Sequence, residues 1–218
     1  MIEKAGQNLG TDTIKTVLHN RFFGQGGVPV GADTGRDLPG LARRAVDAFA
    51  ESSARGRDRD VLMDTAFARL FDLYQATSRA ERQSPAGQNF NATLADLLVS
   101  GNNPDRLSLY VVRSQTAAEN GRHEGYRPAC WRRSMLQLLG DEFVPLQTVL
   151  RPVDLDAFPR IDDALEAVAA DASPATVEAV PAWVPDTHWW WWEPARQRGE
   201  EAPSHTRADS GTLDAVTD

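Results

Sequence analysis

Cysteine is almost missing from this 218-residue chain: Cys130 is the only one. A single thiol excludes an internal disulfide framework and any Cys-rich zinc site. Lysine is nearly as scarce, with Lys4 and Lys15 the only two among 23 basic residues. Such a skew more often reflects a GC-rich genome than a demand for bidentate guanidinium contacts, so it marks no site. No apolar run approaches the roughly 20 residues that span a bilayer. Met1-Ile2-Glu3-Lys4 lacks the basic-then-apolar layout of a secretion signal. The Gly-Lys-Ser/Thr of a nucleotide loop does not occur. These absences lead to the expectation of a soluble, cytoplasmic protein with no membrane association.

Basic charge is missing from one region in particular. Residues 161–218 carry 3 basic and 12 acidic groups, whereas residues 1–100 carry 12 and 12 and residues 101–160 carry 8 and 7. The net charge of −8 therefore belongs to the last quarter. That end repels phosphate backbones and attracts basic protein surfaces. Apolar residues form 41% of the chain, enough for a real core, so wholesale disorder is excluded.

Apolar spacing is helical almost throughout. Thr11 or Asp12 can cap a helix carrying Ile14, Val17, Leu18 and Phe22 at i, i+3, i+4 and i+8, with Gly24 as its stop. Residues 24–31 are glycine-rich like a phosphate loop but follow a helix, which makes them a connection. A second helix starts near Pro39, with Leu38, Leu41, Ala45 and Phe49 on one face. The charged run Arg55–Asp60 leads to a third with Leu62, Ala66, Leu70, Leu73 and Tyr74, and Ser78–Gly87 reads as a linker. Phe90, Leu94, Leu97 and Leu98 define a fourth. Asn103 as cap and Pro104 in the first turn favour helix over strand for the segment through Ala118. Pro128 opens a helix ended by Gly140, Pro145 a short one through Leu150, and the last runs from Ala157 to Ala170. The expected fold is all-α, a helical bundle or short irregular helical array. Its organisation is a flexible N-terminus (1–10), a helical domain (11–170), an extended Trp-rich segment packed on it (171–194) and a disordered acidic tail (195–218).

Five of the six tryptophans fall between Trp183 and Trp192, and four are consecutive. In extended backbone Trp189 and Trp191 would share one face and Trp190 and Trp192 the other. The segment is then either a clasp with all rings buried or a docking surface with one pair left for a partner. Ligand stacking is a third use, with Asp186 and Glu193 as the flanking carboxylates.

Cys130 is the one candidate nucleophile. Placed in the first turn of the helix opened by Pro128, near Arg127, Arg132 and Arg133, it would be favoured as thiolate, with His188 or His123 as base. Cys130-Trp131 at a helix start resembles papain-like thiol hydrolases in those two residues; no oxyanion donor precedes the cysteine, and strands to carry the histidine are scarce. Glu119 and His123 are spaced for a shared helix face, but Gly121 lies between them, so no metal site or cofactor is expected. Arg122, His123, Tyr126, Arg127, Trp131, Arg132 and Arg133 mix guanidinium with aromatic rings as single-strand binders do. Net negative charge makes nucleic acid an unfavoured partner, and the same patch can pair with the chain's own acidic segment from Asp162 to Glu201.

The resulting expectation is a non-enzymatic protein-interaction module, an accessory or regulatory subunit of a larger bacterial assembly, with a defence or stress system as one setting. Its contacts would be Trp183, Trp189, Trp190, Trp191, Trp192, Arg127, Arg132 and Arg133. A thiol-dependent hydrolase using Cys130 is the alternative, and a nucleic-acid-associated regulator the third.

Overall fold

Helix start signals and apolar stripes set most of the architecture. The computed structural model describes residues 37–53, 59–172 and 180–199. The helix expected over Ile14–Phe22, the glycine-rich loop after it and residues 200–218 of the tail expected over 195–218 lie outside the described residues, whereas Ala195–Gln197 of that tail are helical. α1 (Leu38–Ser52) starts where Asp37 accepts a hydrogen bond from the Gly40 amide and Pro39 occupies the first turn. It packs against α2 (Arg59–Ala76), where Phe49 meets Phe67 edge-on at 5.7 Å and Ala45 and Leu70 are buried.

The stretch read as a linker after Ser78 is instead structured. Ser78 and Glu81 form a reciprocal capping box that opens α3 (Arg79–Gln83). Ser84 caps the next helix, α4 (Pro85–Leu98), by accepting from the Gly87 amide. The corner between the two is tight because Gly87 has no side chain. A Cβ there would sit 2.2 Å from the Arg82 carbonyl oxygen.

α5 (Asn103–Glu119) confirms helix over strand for Leu107–Val112. Asn103 is its first residue rather than its cap, and its side chain is fully buried. The Asn103 amide oxygen accepts from Ser52 Oγ at 3.0 Å while its Nδ2 donates to the Leu97 carbonyl at 2.9 Å. Ends of α1, α4 and α5 are thereby tied at one satisfied buried point, as a buried polar group requires.

After the short α6 (Gly121–Glu124), Gly125 adopts φ 101° and lets the chain enter α7 (Tyr126–Leu138) two residues before Pro128. Cys130 is thus the fifth residue of the helix, beyond its first turn. α7 does not stop at Gly140 but widens into a π-turn, Leu139–Phe143. α8 (Leu146–Val149), α9 (Pro152–Leu155) and α10 (Ala157–Ala169) follow. α10 lies along α5 and α7 with Ile161, Leu165 and Val168 inward.

The Trp-rich segment closes the molecule. Residues 180–188 have no regular structure, Trp189–Trp191 form a single 3-10 turn, and α11 (Glu193–Gln197) ends the described chain. Among the described residues there is no strand, and no helix is long and apolar enough to cross a membrane.

Candidate functional site

The tryptophan block departs from the extended backbone expected of it. The Trp191 and Trp192 amides donate to the His188 and Trp189 carbonyls at 3.1 and 3.0 Å, which winds the chain into a turn. Three residues per turn fan the rings around the backbone instead of alternating them across it. Trp190 and Trp191 are 2% and 0% exposed, Trp192 is buried, and Trp189 and Trp183 are half-buried. Helices α7 and α10 receive the turn.

α7 supplies the polar floor. Both Trp190 Nε1 and Trp191 Nε1 donate to Ser134 Oγ, at 3.1 and 2.8 Å, filling its two acceptor positions. Tyr126 Oη donates to the Trp190 carbonyl at 2.6 Å, and the Cys130 thiol approaches the same oxygen at 3.7 Å. The Arg133 guanidinium lies 4.4 Å from the centre of the Trp190 ring and holds Asp162 with two hydrogen bonds, at 2.7 and 3.1 Å. Arg133 is therefore buried and paired rather than presented to a partner. His188 stacks on Trp190 with centroids 4.8 Å apart. Trp183 meets Phe71, Trp131 and Trp191 edge-on at 4.6–6.3 Å, the arrangement that ring quadrupoles favour.

The clasp is latched at its far end. The Glu193 carboxylate accepts from Arg196 twice at 2.6 Å and from Gln197 at 2.9 Å, and Gln197 Nε2 also donates to the Glu166 carbonyl of α10. The Arg196 hydrogen bonds hold the Glu193 carboxyl below its ordinary range. The flanking carboxylate considered for a ligand is thus committed within the chain.

Cys130 is fully enclosed, and burial pushes its thiol well above the ordinary value, the opposite of nucleophile activation. His188 is buried too, and burial followed by the charge of Arg133 lowers its pKa to about 4. His123 is exposed on α6. Three arginines of the basic patch pair with acidic groups of the same chain: Arg122 with Asp171, Arg133 with Asp162 and Arg132 with Asp64 at 2.7 Å. Two of those three partners belong to the acidic segment beginning at Asp162. No group of three or more His, Cys, Asp or Glu among the described residues is arranged to hold a metal.

A different feature is open to solvent. An apolar groove of about 430 Å³ runs between α1 and α4, and Leu38, Ala42, Val46, Leu73, Phe90 and Phe143 are among its lining residues. At its base Phe90 meets Phe143 edge-on at 6.0 Å. Arg82 fixes the floor: it donates to Glu142 at 2.9–3.0 Å and to the Tyr74 and Thr77 carbonyls, and it lies 4.5 Å from the Tyr74 ring centre. α2 separates groove from clasp. Phe71 faces Trp131 and Trp183, while Leu73, about 200° further round the helix, lines the groove. The legible signal was the width of the apolar arc on α1. Its core stripe is Leu41, Ala45 and Phe49, yet Leu38, Ala42 and Val46 add a second line beside it.

Comparison with protein-family models, with curated proteins and with solved structures gives no match to the chain.

Proposed function

We propose that the protein is a non-catalytic interaction module, an accessory or regulatory subunit that takes an apolar helix of another protein in the groove between α1 and α4. The observation that carries this reading is an open, apolar concavity of about 430 Å³ on rigid, capped helices. That size is in the range of small ligand sites, and a wall of apolar side chains from α1 and α4 suits helix-in-groove recognition. The tryptophans first considered as contacts serve in this reading as the clasp that holds α7 and α10 in place, leaving the far side of α2 as the binding face. A sealed thiol of raised pKa supports this reading over the hydrolase alternative. The pairing of Arg122, Arg132 and Arg133 with Asp171, Asp64 and Asp162 supports this reading over the nucleic-acid alternative.

The test is a titration with a helical peptide bearing leucines at i, i+3, i+4 and i+7. Ala86 is exposed at the groove wall, and Ala86→Trp puts a ring into the mouth without touching the core. Binding to the unaltered chain that weakens at least about ten-fold in Ala86→Trp is the expected result, a loss equal to one well-packed contact. No binding, or equal binding by both chains, overturns the reading.

A further inference from the structure

We infer that the helix taken by the groove carries carboxylates along its flank, and that Arg43 is the residue that selects it. This deepens the groove reading and rests on it, naming the chemistry of the partner. α1 and α4 run in the same direction, because their C-terminal ends are tied together. Asn103 accepts from Ser52 at the end of α1 and donates to the Leu97 carbonyl of α4, and Asn102 donates to the Ser53 carbonyl. The groove lies between their N-terminal halves, within Leu38–Val46 and Ala86–Thr93. Each wall is thus a capped helix held at its far end, and a side chain on its edge keeps a fixed place above the apolar floor.

Arg43 is that side chain. Leu38, Ala42 and Val46 form one line along α1, and Pro39 and Arg43 form a second, more exposed line beside it. Of the residues with which α1 and α4 line the groove, Arg43 alone is charged; the polar ones on α4 are Asn89, Asn91 and Thr93. Two further charges line it from α3, and both are committed. Glu81 accepts from the Ser78 amide and hydroxyl at 2.6 and 2.7 Å, and Arg82 holds Glu142. Arg43 by contrast is 84% exposed, makes no hydrogen bond to another described residue, and meets Asp47 only at 3.9 Å. A carboxylate on a docked helix can take two guanidinium N–H groups at about 2.7–2.9 Å, a closer pairing than Asp47 makes. A lysine in the same place finds no carboxylate on either wall. Such a rim contact decides which partner binds more than how tightly: the apolar walls accept leucine-bearing helices in general, and Arg43 chooses among them. Residues 1–100, which supply both helices, carry 12 basic and 12 acidic groups, so the choice falls to the local contact rather than to an overall field.

The test is a calorimetric titration of the full-length chain with three helical peptides. All carry leucines at i, i+3, i+4 and i+7, and the positions flanking that stripe are glutamate, glutamine or lysine. The glutamate peptide is expected to bind about three-fold more tightly than the glutamine peptide and about ten-fold more tightly than the lysine peptide. Arg43→Gln should level the three, and Arg43→Glu should reverse their order; the exposed position leaves folding intact, which circular dichroism checks. Equal affinities on the unaltered chain, a lysine preference, or a glutamate preference that survives Arg43→Glu each overturn the inference. Where Ala86→Trp weakens all three peptides alike and Arg43→Glu changes none, the groove reading stands and the role of Arg43 falls. No binding by any peptide overturns both.

Discussion

The Ser134 hydroxyl accepts a hydrogen bond from Trp191 Nε1 at 2.8 Å and a second from the neighbouring Trp190 Nε1, deep between α7 and the C-terminal turn. One small side chain therefore satisfies two large ones that have no access to water. Replacing Ser134 by Ala strands both indole N–H groups. At about 1–3 kcal/mol for each of the two buried unsatisfied donors, Ser134→Ala should cost about 2–6 kcal/mol in urea unfolding. A loss under about 0.5 kcal/mol would show that the indoles find other partners.

Ring removal should act on folding before it acts on binding. Trp191 is fully buried, and truncating such a ring costs about 3–5 kcal/mol against a typical total of about 5–15 kcal/mol. Trp191→Ala and the double variant Trp190→Ala with Trp192→Ala should lose most of their cooperative thermal transition by circular dichroism. Trp189→Ala, at a half-buried position, should lose less. A fully stable double variant would return the block to the role of contact surface.

Much of the scaffold is readable from capping and spacing alone. Pro39, Pro104 and the Phe158–Ile161–Leu165–Val168 stripe each place a helix where the structure has one. Ser78-Arg79-Ala80-Glu81 carries a capping box in plain sight, and reading it as linker polarity hides α3. The tryptophan turn is harder. Stiff aromatic residues favour strands in general, but here the two indoles must both reach Ser134, and that shared acceptor lies 56 and 57 positions away in sequence. Asn103 shows the same limit: a residue typed as a cap becomes a buried tie because Ser52, far off in the chain, supplies its partner. The groove depends on Phe143 reaching Phe90 through a π-turn that no local pattern announces.

The thiol of Cys130 should be inert in the native state. Burial raises its pKa and excludes reagent, so alkylation by iodoacetamide at pH 8 should occur only as fast as the chain unfolds. Labelling at the rate of a free thiol under native conditions would contradict the enclosed site and favour the hydrolase reading.

Acid should weaken the clasp through His188. Its folded-state pKa of about 4 lies below the ordinary 6.5, so the unfolded chain takes up the proton more readily than the folded one. The stability due to neutral His188 is fully present above pH 6.5 and is lost as pH falls from 6.5 to 4, by on the order of 2–3 kcal/mol. His188→Phe keeps a ring against Trp190 and removes the titration. Its urea midpoint should fall less than that of the unaltered chain between pH 7.5 and 4.5. Equal falls would show that His188 is not the group responsible.

The division of labour between clasp and groove is tested most directly by reading both in one experiment. In a two-dimensional NMR titration of the full-length chain with the leucine peptide, taken to millimolar concentration, the account predicts shifts at the amides of Leu38, Ala42 and Thr93. The indole N–H signals of Trp190 and Trp191 should stay in place. Indole signals that move while the α1 and α4 amides remain still would contradict it.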